Sequence, residues 1–77
     1  MSRQDIWSHV EGDWHEFPSE GGDHMNYGQA KTFASHIISV GGFGSGFTEG
    51  QFRSAFNSFG GGSVHRGDMP DLILELC

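Results

Sequence analysis

The chain has 77 residues and a mass of 8.4 kDa, with ten acids against four bases, one cysteine and thirteen glycines. That length fits one small domain, residues 1–77, which on folding hides only about 60–65% of the surface its unfolded chain exposes. Four Lys+Arg residues and a net charge of −6 exclude a protein that grips phosphate backbones directly, and no apolar run approaches the ~18–20 residues that span a bilayer.

The opening segment reads two ways. Ile6, Ser8 and Val10 alternate with Trp7, His9 and Glu11, and after Gly12-Asp13 the pattern resumes as Trp14-His15-Glu16-Phe17. This predicts two short strands around a turn at 11–13. In the rival reading Ser2 with Asp5 resembles a capping box, and Trp7, Val10 and Trp14 stand at i, i+3 and i+7 of a helix that Gly12 limits. The strand reading is the favoured one.

Residues 18–23 form a loop by composition. Asn26 then caps a helix, with Gln29 able to bond back to it. Ala30, Phe33, Ala34, Ile37 and Ile38 give that helix an apolar face running to about Val40, and Gly41-Gly42 stop it. After a glycine-rich connection, Thr48 and Gln51 form a second capping box. Phe52, Ala55, Phe56 and Phe59 follow as a stripe at i, i+3, i+4 and i+7, which 60–62 end. Residues 63–66 suit a short strand. Beyond Pro70, Leu72, Leu74 and Leu76 alternate with Ile73 and Glu75, which predicts a strand with one well-buried face. The expected fold is α+β, in the order ββααβ or αβααβ, with two helices on a small antiparallel or mixed sheet.

Several motifs yield to simpler explanations. The glycine-rich loop 41–46 joins two helices and no Lys-Ser/Thr follows it, so it lacks the context of a phosphate cradle. Arg66-Gly67-Asp68 matches a cell-adhesion tripeptide, but Gly-Asp is ordinary turn chemistry. Ser8-His9 and Ser35-His36 are sequence neighbours whose side chains diverge, and no Gly-x-Ser-x-Gly occurs. The expectation is a protein that is not an enzyme. The five histidines, His9, His15, His24, His36 and His65, lack the short spacings of zinc ligands and have no cysteine partner apart from Cys77. No metal and no cofactor are expected.

Charge placement is the most informative feature. Residues 1–26 hold six acids, Asp5, Glu11, Asp13, Glu16, Glu20 and Asp23, and one base, Arg3; residues 27–77 hold four acids and three bases. The net charge of −5 in the first third against −1 in the rest sets up an anionic region. Trp7 and Trp14 lie inside it, and Phe17 and Tyr27 lie in or beside it. On strands, same-face carboxylates would stand ~6.6 Å apart, a spacing of the same order as the phosphates of duplex DNA. Coulomb steering would bring such a surface quickly to a basic cleft, and the large rings would supply the desolvated anchors that charge alone lacks.

In these features, a short acidic α+β domain with the cluster Asp5, Glu11, Asp13, Glu16, Glu20 and Asp23 and no catalytic or metal signature, the chain resembles the phage-encoded anti-CRISPR proteins. The resemblance is one of class and carries no shared motif. It implies a stoichiometric inhibitor that binds a CRISPR effector complex and blocks the positively charged surface that accepts target DNA. The expected partner is thus a protein with a basic nucleic-acid-binding surface, with no direct nucleic-acid binding and no membrane contact. The N-terminus lacks the apolar core of a secretion signal, so the expected location is the cytoplasm of a bacterial host cell, as monomer or homodimer. Two alternatives are a generic protein-interaction module and a small His/carboxylate metal-binding protein.

Overall fold

Asn26 begins the best-defined helix. Its side chain accepts the Gln29 backbone N–H (2.9 Å) while the Gln29 side chain accepts the Asn26 N–H (3.0 Å), which satisfies two donors that a helix start leaves unpaired. The computed structural model describes residues 3–44, 46–59 and 62–77. Within them the elements are α1 (Arg3–Asp13), a 3₁₀ turn (Trp14–Glu16), β1 (His24–Met25), α2 (Tyr27–Gly41), α3 (Glu49–Asn57), β2 (Val64–His65), a second 3₁₀ turn (Arg66–Asp68) and α4 (Met69–Leu76).

Helix α2 buries the expected face, Ala30, Phe33, Ala34, Ile37 and Ile38. It ends at Gly42, whose φ of 66° is left-handed and favours glycine. Helix α3 starts on the reciprocal Thr48–Gln51 box and buries Phe52, Ala55 and Phe56. Its expected stop at 60–62 and the expected Ser2–Asp5 box involve Gly60, Gly61 and Ser2, which lie outside the described residues, as does Ser45 of the glycine-rich connection.

The α+β expectation is corrected: the described residues are mostly helical, and the sheet among them is a two-residue antiparallel ladder. The opening segment is α1, not a pair of strands. Ile6 and Val10, one turn apart, are fully buried, and Trp14 extends the same line. Gly12 is accommodated because it sits on the solvent side, where an added Cβ would meet nothing within 4 Å. The C-terminal run is also a helix. Pro70 occupies its first turn, where the missing N–H costs nothing, and Asp71 sits at the favourable dipole end. Burial of Met69, Pro70, Leu72, Ile73 and Leu76 leaves Leu74 exposed, which is helical periodicity rather than alternation.

Helix α4 packs against all three other helices, most extensively against α1. Beneath the ladder, Met25 and Val64 face the core. No helix among the described residues is long and apolar enough to cross a membrane.

Candidate partner-binding surface

Helix α1 turns Gln4, Asp5, Ser8, Glu11 and Gly12 to solvent. At 100° per residue, Asp5 and Glu11 flank this outer face about 120° apart. They also differ by six residues, about 9 Å along the axis. The phosphate-like ~6.6 Å row expected of strands is therefore absent from this segment. Glu16 lies exposed on the 3₁₀ turn, and Glu20 and Asp23 lie exposed on the loop that leads to β1. Glu20 is fixed there by backbone bonds exchanged with His24, at 2.7 and 3.3 Å.

The two tryptophans part company. Trp7 is half-buried at the edge of the core and, on α1, sits one turn before Glu11, so part of its ring borders the acidic face. Trp14 is fully buried, packs edge-to-face on Phe33 with centroids 5.4 Å apart, and donates its indole N–H to the Gly22 carbonyl at 3.0 Å. This corrects its expected role as an exposed anchor: its six-membered and five-membered rings have no surface left to offer. Trp14 instead holds the loop carrying Glu20 and Asp23 to the core. The Tyr27 ring packs on Phe52 and Phe56, with its hydroxyl donating to Glu49, on the α2–α3 side.

Two acids of the segment face histidines. Asp13, at the end of α1, meets His36 of α2 at 2.9 Å, a half-buried pair over which the Phe17 ring lies 4.7 Å from the imidazole. Asp23 accepts from His24 Nδ1 at 2.8 Å and has His65 Nε2 at 3.7 Å. The hydrogen bond from His24, reinforced by the charges of His24 and His65, holds the Asp23 carboxyl below its ordinary range. His24 and His65 are opposite each other in the ladder, and the Arg66 N–H bonds the Asp23 carbonyl just beyond them. That pattern marks a non-hydrogen-bonded pair, whose side chains approach most closely. Reading the sequence did not single out His36 and His65, because their partners stand 23 and 42 positions away; only the fold brings them together.

The described cation pairs lie elsewhere. Arg3 bonds Asp71 at 2.9 Å and the Gly67 carbonyl at 3.2 Å. Lys31 and Arg53 converge with Tyr27 on Glu49. The Lys31 hydrogen bond, followed by that of Tyr27, depresses the Glu49 carboxyl, and the same contact raises the Tyr27 phenol. Among the described residues, neither Glu11 nor Glu16 has an ion-pair partner.

The remaining surface offers little for chemistry. A depression of about 530 Å³ lined by Lys31, Thr32, Ser35, Gly46 and Phe47 is open to solvent, and its one amine is engaged by Glu49. The exposed Cys77 thiol is pushed up by partial desolvation, the opposite of an activated thiol. Among the described residues no group of three or more His, Cys, Asp or Glu side chains could hold a metal ion. No family model matches the sequence, and neither a curated protein nor a solved structure is similar to it at a significant level.

Proposed function

We propose that this protein is a non-enzymatic inhibitor that binds, through its acidic N-terminal third, the basic surface with which a nucleic-acid-handling complex accepts its nucleic acid. The class-level resemblance names a CRISPR effector complex as the target. The observation that carries the reading is the separation of charge. Arg3, Lys31 and Arg53 are engaged by Asp71 and Glu49, while Glu11 and Glu16, without an ion-pair partner among the described residues, lie exposed in a segment with a net charge of −5. Such a surface accelerates encounter with a cationic cleft in a salt-dependent manner. The exposed part of Trp7 beside Glu11 supplies apolar contact at its margin. The surface imitates the charge of a nucleic acid rather than its regular spacing, since a helix and a loop carry the acids.

The test is direct binding to a purified CRISPR effector complex, empty or preloaded with target DNA. The proposal expects binding to the empty complex only, weakened at least tenfold by 0.5 M salt and by the triple charge reversal E11K/E16K/E20K with the circular dichroism spectrum intact. Equal binding to the empty and DNA-loaded complexes, or indifference to the reversal, overturns it. Indifference to the reversal together with salt-independent binding would favour the generic interaction module.

A further inference from the structure

We draw no further inference here: the strongest candidate, the open depression where α2 meets α3, lined by Tyr27, Arg53, Phe56, Asn57 and Gly62, is a surface patch whose Tyr27 hydroxyl and Arg53 guanidinium are both already engaged by Glu49, and nothing in the structure shows what covers it.

Discussion

Replacing Trp14 by phenylalanine separates a core role from a binding role. The substitution removes the indole N–H bond to the Gly22 carbonyl, a neutral hydrogen bond with a net contribution of about 1 kcal/mol. It also removes part of a fully buried ring packed on Phe33, and the transfer and cavity contributions together add about 1–2 kcal/mol. Gly22 is exposed, so its carbonyl is rehydrated and no orphan penalty is added. The expected loss is about 2–3 kcal/mol, large for a 77-residue domain whose whole stability is on the order of 4–12 kcal/mol. Urea unfolding followed by far-ultraviolet circular dichroism measures it directly. Thermal melts should fall by roughly 4–8 °C for each kcal/mol lost. At 10 °C, where the variant is still folded, binding to a polycationic probe should remain within about twofold of wild type, because the ring presents no exposed surface. A stability loss below about 0.5 kcal/mol, or a large loss of binding by folded protein, would refute the assignment of Trp14 to the core.

Other outcomes test the remaining geometry. Ile73→Ala should cost about 2–4 kcal/mol, whereas Leu74→Ala, on the exposed side of α4, should cost under about 1 kcal/mol; chemical denaturation that reverses this order would restore the strand. Asn26→Ala should destabilise by about 1 kcal/mol through loss of the reciprocal cap, read as a lower urea midpoint with an unchanged slope. The hydrogen bond from His24 depresses the Asp23 carboxyl, so its stabilising contribution is complete above the ordinary carboxylate pKa of about 4. That contribution is lost as pH falls through the depressed folded value. The stability difference between wild type and Asp23→Asn should accordingly shrink between pH 4 and pH 2, and a difference that does not vary over that range counts against the contact. Arg3→Ala should lower stability by less than about 1 kcal/mol, since the Arg3–Asp71 pair is exposed.

The two central helices were legible because independent local signals agreed. Asn26 and Thr48 announced their starts, Gln29 and Gln51 stood at the reciprocal positions, and the apolar residues kept a 3.6-residue period. The first and last helices carried contradictory signals. The run Leu72-Ile73-Leu74-Glu75-Leu76 satisfies a two-residue alternation at three leucines, yet Ile73 is buried and Leu74 exposed. Only contact with the other helices resolves such a short run. In α1, the residues between Ile6, Val10 and Trp14 fit either period, and packing of α1 on α4 decides the outcome. The acids of the candidate surface were legible from composition, since charge needs no fold to be counted. Their histidine partners His36 and His65 were not, because those contacts exist only after α2 and the ladder are in place.

The docking of α1 on α4, tied by an Arg3–Asp71 bond that joins positions 68 apart in the chain, has a kinetic corollary. Helical proteins owe their speed of folding to neighbours in sequence being neighbours in space. Here the largest interface forms between opposite extremes of the polypeptide, so a long loop must close before either short helix is rewarded. The molecule should accordingly fold at the slower pace of mixed α/β domains despite having almost no sheet.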